Sequence, residues 1–256
     1  MALTKVGKEG ITGISNSSDA TAITIDSSEN VGVGNTTPSS FYSLADNLVV
    51  GTGSGGHGLT IYSGSSDSGY IGFNDTASAS MQGFIQYNHN GDYMAFAPNG
   101  SERMRIDANG HVTMPHQSAF SASPSPNLEN FAINQYNNVN FNSERFDRNA
   151  DYNAGGSPST FTAPVTGIYQ LNFHLYILSL DTAATYVQYS ILTSNKEYTS
   201  IIDPNFSGDL GYYHMVLSVA ADMDANDSAY VRVYQQGGSA QMDVAGNSHF
   251  SGYLVC

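Results

Sequence analysis

Apolar and polar residues alternate along most of this chain, and the alternation changes character near residue 117. Beyond that point the apolar faces are long. Positions 169, 171, 173, 175 and 177 are Tyr, Leu, Phe, Leu and Ile, a period-two stripe. Positions 187, 189 and 191 (Val, Tyr, Ile) repeat it, as do 213, 215, 217 and 219 (Tyr, Met, Leu, Val). So do 229, 231 and 233 (Ala, Val, Val), and 250, 252 and 254 (Phe, Gly, Leu). Turn clusters separate these runs. The pattern predicts an all-β chain whose residues 118–256 form a jelly-roll β-sandwich.

Before residue 117 the pieces are shorter. Ile25-Asp26 to Val31 and Ile106-Asp107 to Val112 share an I-D-x4-V spacing with alternating apolar residues on both sides. Each reads as a hairpin with one apolar face, and Asn109-Gly110 is a strong two-residue turn signal. Between them LTIY (59–62), YIGF (70–73), GFIQY (83–87), YMAFA (93–97) and ERMRI (102–106) read as strands near the short end of strand length. Such strands bury too little surface to stand alone in one chain, so the expectation is a core closed by oligomerisation. A boundary falls at Met114–Gln117, and Ser-Pro-Ser-Pro at 123–126 excludes helix. The division expected is an attachment segment (1–22), a β-rich fibre shaft (23–117) and the sandwich head (118–256).

Composition agrees with strands and turns. Gly (26) and Tyr (17) are frequent, Trp is absent, and charged residues make up only 12%. Eight Lys and Arg against 22 Asp and Glu give a net charge of −14. Too few basic residues are present for a nucleic-acid footprint or a polybasic membrane patch. The opening residues MALTKVGKEG lack an apolar signal-peptide core, and FHLYILSL near residue 175 is far too short to cross a bilayer. The single cysteine, Cys256, excludes a disulfide framework.

Catalytic and metal-binding patterns are missing. No histidine forms H-x-H or H-E-x-x-H, nor a zinc spacing with Cys. His174 and His214 lie on alternating strands opposite the apolar face, a position suited to a neighbouring copy. Asp222, Asp224 and Asp227 resemble a calcium loop, but the sixth and twelfth positions are Asp227 and Val233 rather than Gly and Glu. GTGSGG (51–56) lacks the Lys-Ser/Thr ending of a phosphate loop. The chain reads as a non-enzyme with no catalytic residue, no metal ligand and no cofactor.

FTAPVTGIYQLNF (161–173) resembles the signature of the globular head of complement component 1q, in the tumour-necrosis-factor-like superfamily. Ala119-Phe120, Val139-Asn140-Phe141, Phe146-Asp147, Asp151-Tyr152-Asn153 and Phe250-Ser251-Gly252-Tyr253-Leu254 follow in family order. Asn226-Asp227 stands where the family has Gly-Asp, and no collagen-like Gly-X-Y stalk precedes the head. Gly167, Tyr169, Phe173, Phe250 and Gly252 are the family's architectural positions: Gly167 lets the chain turn into its strand, and the aromatics fill the core. Members of that family can hold calcium near a trimer axis, although no residue here takes that role by motif.

IDSSENVGVGNTTP (25–38), GFIQYNHNGDYMAF (83–96) and GSERMRIDANGHV (100–112) are similar to stretches of tail-fibre proteins of tailed, cyanophage-like bacteriophages. Together the two resemblances imply a homotrimeric virion fibre or spike, assembled in the host cytoplasm. It would hold other virion proteins through its N-terminus and present its head to a host-surface polysaccharide or protein. A capsid-surface fibre or decoration protein without a receptor role is one alternative; a secreted lectin-like recognition module is another. In a jelly roll with both termini at its base, the connections 178–186, 204–212 and 236–248 lie at the opposite end. Phe206, Asp209, Tyr212, Gln235, Gln236 and Asn247 are the receptor-contact candidates there, and 236–246 reads as a dispensable surface loop.

Overall fold

The computed structural model describes residues 23–77 and 80–256. The segment 1–22, read as an attachment segment, lies outside the described residues. Contacts divide the chain into two compact units. One runs to Tyr70 and includes Asn88–Asn90; the other comprises Ile71–Tyr87 and Gly91–Cys256.

Short strands fill the first part. β1 (Ile23–Ile25) and β2 (Val31–Val33) pair antiparallel, and β3 (Leu48–Val50), not foreseen from the alternation, joins β2 in parallel. β4 (Ser68–Phe73), β5 (Gly83–Asn88), β6 (Tyr93–Ala97), β7 (Met104–Ile106) and β8 (Val112–Thr113) form a sheet in chain order. LTIY (59–62), expected as a strand, joins no ladder.

The two I-D-x4-V hairpins share one turn. Glu29 N donates to Asp26 O at 3.1 Å, and Gly110 N to Asp107 O at 3.0 Å. Asp26 Oδ1 accepts the amides of Ser28 and Asn30; Asp107 Oδ1 accepts those of Asn109 and His111. Glu29 (φ 67°) and Gly110 (φ 85°) both take the left-handed region. These are three-residue loops ending in a left-handed residue, so the Asn109-Gly110 two-residue reading is corrected. The aspartate carboxylate holds the type I geometry that a two-residue hairpin would avoid.

Among the described residues before 118, the buried apolar side chains are those of Pro38, Ala95 and Ala97. The large ones point outward: Ile25 is 70% exposed and Tyr62 97%. Ile23, Leu44, Leu48, Leu59, Ile71 and Phe73 are exposed as well.

The head is the reverse. Its strands are β9 (Ala119–Ser123), β10 (Tyr136–Asn138), β11 (Ser143–Asp147), β12 (Tyr152–Asn153), β13 (Thr160–Thr162) and β14 (Gly167–Leu180). β15 (Tyr186–Thr193), β16 (Glu197–Ile202), β17 (Leu210–Met223), β18 (Ser228–Gln236), β19 (Asp243–Val244) and β20 (His249–Leu254) follow. One sheet runs β12-β13-β18-β15-β16 with β10 beside β18; the other runs β11-β9-β20-β14-β17 with β19 beside β14. All pairs in the head are antiparallel, as a jelly-roll sandwich requires.

The inward residues are the alternating set the sequence marks. Leu171, Leu175, Ile177, Ile191, Val231 and Val233 are fully buried. Phe120 stacks on Tyr152 at 4.7 Å and Phe161 at 4.8 Å, with Phe250 edge-on at 5.0 Å. Buried tyrosines keep their hydroxyls bonded: Tyr169 Oη donates to Val165 O at 2.7 Å and Tyr152 Oη to Phe141 O at 3.1 Å. Burial pushes the Tyr152 hydroxyl up to about 12.

Two glycines are there for close approach. A Cβ on Gly252 would meet Leu171 Cδ2 at 2.7 Å and Phe120 Cε1 at 2.9 Å. One on Gly167 would meet Cys256 O at 2.5 Å. The role expected of Gly167, turning the chain, is therefore corrected: the last residues pass against it, and Ile168 N donates to Cys256 O. Asn226, in place of the family's glycine, has φ 74°, a conformation Asn tolerates better than most residues.

Candidate functional site

Two surfaces of the head carry the chemistry of interest. The first is an end. Leu254 N donates to Ser118 O, and Gln117 Nε2 to Leu254 O, so the chain enters and leaves the head at one place. β14 starts there at Gly167 and runs 14 residues, roughly 45 Å, to Leu180 at the other end. The connections after β14, before β17 and after β18 meet at that far end. Asp209 Oδ1 accepts Thr182 N and Oγ1, and its Oδ2 accepts Gln241 Nε2 at 2.9 Å. These bonds, led by the Thr182 amide, hold the Asp209 carboxyl below its usual range. Asp181 ties in Ala183 N and Ser239 N.

The six candidate residues fare differently. Phe206, Tyr212 and Asn247 are exposed. Asp209 is exposed, but both its oxygens are already bonded. Gln236 donates to Asn134 Oδ1 and accepts from Tyr234 Oη. Gln235 is 1% exposed and corrects the expectation: the alternation of β18 continues through it and turns it inward. Its Nε2 there donates to Gly237 O and Ser239 O. The 236–246 loop also corrects the reading of it as dispensable. Met242 and Val244 are fully buried, and β19 pairs with β14 through Ile177 and Leu178.

The second surface is the outer face of the β11-β9-β20-β14-β17 sheet. His174 on β14 and His249 on β20 are register partners, their ring centroids 5.4 Å apart and their planes inclined at 29°. His174 Nε2 contacts His214 Nδ1 across to β17, ring centroids 4.7 Å apart. Tyr176 lies edge-on to His214 at 4.7 Å. Burial, then the neighbouring imidazoles of His214 and His249, lowers the His174 pKa; burial, then Arg145, lowers that of His249. His174 and His214 were visible as outward-facing in the sequence, but His249 was missed, because only register brings it alongside.

Arg145 reaches this face through a bulge in β11 between Glu144 and Phe146, where an extra residue re-aims the side chain. It lines a hollow of about 380 Å³ with Ser121, Phe146, His249 and Ser251. Around the histidines Tyr212, Val216 and Tyr253 stand exposed. The opposite sheet presents a satisfied polar face instead: Arg232 pairs with Glu197 at 2.8 Å and covers the Tyr136 ring at 3.8 Å.

The acidic 222–227 turn binds itself. Asp227 Oδ2 accepts Asp224 N at 2.9 Å and Asn195 Nδ2 at 2.6 Å. Among the described residues no cluster of three or more His, Cys, Asp or Glu side chains is arranged to hold a metal ion. No helix among them is long and apolar enough to cross a membrane.

No curated protein matches the chain. Solved structures similar to it include the globular domain of zebrafish complement 1qA, 16% identical over 55% of this chain and 98% of that one (TM-score 0.39). Murine APRIL is 12% identical over 54% and 99% (TM-score 0.41). The Eiger TNF of S. frugiperda is 11% identical over 55% and 92% (TM-score 0.38). The C1q domain family matches residues 119–255, over half of the chain and the whole sandwich; the chain belongs to that family.

Proposed function

We propose that the chain is a homotrimeric, non-enzymatic fibre or spike protein of a tailed-phage virion. Residues 23–117 form the shaft, and the C1q head is displayed for recognition of a host-surface polysaccharide or protein. The observation that carries this reading is the burial contrast. The chain before residue 118 shows Ile25, Leu48, Leu59 and Tyr62 to solvent, and a region without a core inside one chain needs one made between chains. The phage placement rests on the likeness of 25–38, 83–96 and 100–112 to tail-fibre stretches.

A second copy is the partner favoured by charge. Two chains of net charge −14 repel over most of their surfaces. The centre of the β20-β14-β17 face carries histidines, tyrosines, amides and small residues, with Asp222 at the end where β14 starts, so copies meet at the centre without opposing carboxylates. C1q and tumour-necrosis-factor-like domains commonly form trimers and mediate recognition, which fits a head docked through such a face.

Sedimentation at micromolar concentration tests assembly; a mass of three chains is expected, and a stable monomer overturns the reading. Immunogold labelling of purified particles tests the virion placement. For recognition, Phe206→Ala combined with Asn247→Ala should leave the mass unchanged and abolish adsorption to host cells. Undiminished adsorption removes the far end as the contact surface.

A further inference from the structure

Three imidazoles lie in a row across β20, β14 and β17, with His174 between His249 and His214, on the face through which the proposed copies dock. We propose that this row makes the docking of heads proton-sensitive, intact at neutral pH and released on acidification. The inference rests on the trimer reading above.

The argument starts from the contact itself. His174 Nε2 and His214 Nδ1 face each other directly, so one ring must donate and the other must offer a bare nitrogen. The pair accepts one proton on a far nitrogen with the contact intact. A second proton must go onto the accepting nitrogen, and two N–H groups then point at each other. The His249 ring centroid lies 5.4 Å from that of His174 on the other side, so its protonation places a third positive charge in the same row.

Among the described residues no carboxylate stands beside the row to neutralise that charge. The charged and titratable groups around the row are Tyr176 on β14, Tyr212 on β17, Tyr253 on β20 and Arg145 on β11. β9 contributes Ser121. Arg145 is cationic and has no acidic partner within ion-pair distance among the described residues. Glu144 belongs to the other side of its strand, in register with Ala122 of the core, and acts there on Tyr152. Asp222 sits on β17 at the end where β14 starts, opposite Ile168 and eight residues from His214.

A docked copy removes water from the row and raises the cost of each charge. His174 and His249 already hold protons less readily than an ordinary histidine. The sign follows: docking that buries these rings lowers their pKa below that of the free head, itself already below the ordinary histidine value of about 6.5, so the contact is fully available at neutral pH and erodes as pH falls through the free head's values. Each unit by which docking lowers one imidazole's pKa is about a tenfold loss of association at low pH.

The test compares the full chain at pH 7.5 and pH 5.0, with and without EDTA. The shaft can hold three chains together after their heads part, so head contact is read separately by hydrogen–deuterium exchange over Tyr212–Ala220, corrected for intrinsic rate. Protection at pH 7.5 that falls at least tenfold at pH 5.0 is expected. H174Q/H214Q should keep protection at pH 7.5 and lose the pH dependence; H249Q, with one ring removed, should blunt it if the double variant does not fold. A monomer at pH 7.5 overturns the trimer reading itself. A trimer equally protected at both pH values overturns only the proton sensitivity. Loss of protection with EDTA at pH 7.5 also overturns it, in favour of a bridging metal.

Discussion

The head and the strands before it are built from the same vocabulary and reach opposite outcomes. In the head, inward residues of two sheets meet: Phe120, Phe161 and Phe250 are all buried within one chain. In β1–β8 the apolar residues Ile25, Leu48 and Phe73 remain outside, because no second layer among the described residues covers them. Period-two patterning therefore sets which face is apolar, and the number of layers sets whether that face is buried by its own chain or by another.

The largest expected effect tests the head's side of this contrast. Phe120→Ala leaves a void among Tyr152, Phe161 and Phe250 and should destabilise the head by about 3–5 kcal/mol in urea unfolding. Ile25→Ala, at an exposed position, should leave the unfolding of the dissociated chain unchanged and weaken only assembly. Equal losses in the dissociated chain would break the comparison.

Gly252→Ala asks how tightly the head is filled. Its new methyl would press on Leu171, Phe120 and Gln170 O, and a loss of about 1–3 kcal/mol in chemical denaturation is expected. A neutral result would mean that the sandwich is looser than the glycine's contacts indicate.

The smallest effect concerns the paired hairpins. Gly110→Ala places a Cβ in open space at a left-handed position, so only backbone strain changes, about 1 kcal/mol. Faster hydrogen exchange at the amides of Asp107 and His111 would report it. Glu29→Gly, at the equivalent turn, should shift exchange the other way by less, since glycine's extra freedom when unfolded offsets part of the relief.

The sandwich was legible because its long strands show the alternation over five or more positions, as at 169–177, and because the turns between them are chemically marked. What escaped sequence reading depends on register or on layers. Gln235 looked like a loop residue, but one more step of alternation along β18 carries it inward. Met242 and Val244 lie in a stretch too short to show periodicity, and pairing with β14 buries them. His249 joins His174 only through the β20–β14 register, and Arg145 reaches the same face through a bulge that no local motif announces. The shared turn of the two hairpins was visible as I-D-x4-V, but not the aspartate bonds that select its loop length.

The meeting of the head's first and last strands at one end has a mechanical meaning. β9 lies between β11 and β20 and runs away from the point where the chain enters. A head gripped at its far end and pulled from residue 118 loads β9 lengthwise. Its ladder bonds to both neighbours then bear the tension together in shear, instead of opening one after another like a zipper. The head is thus arranged to resist traction applied between its far end and residue 118.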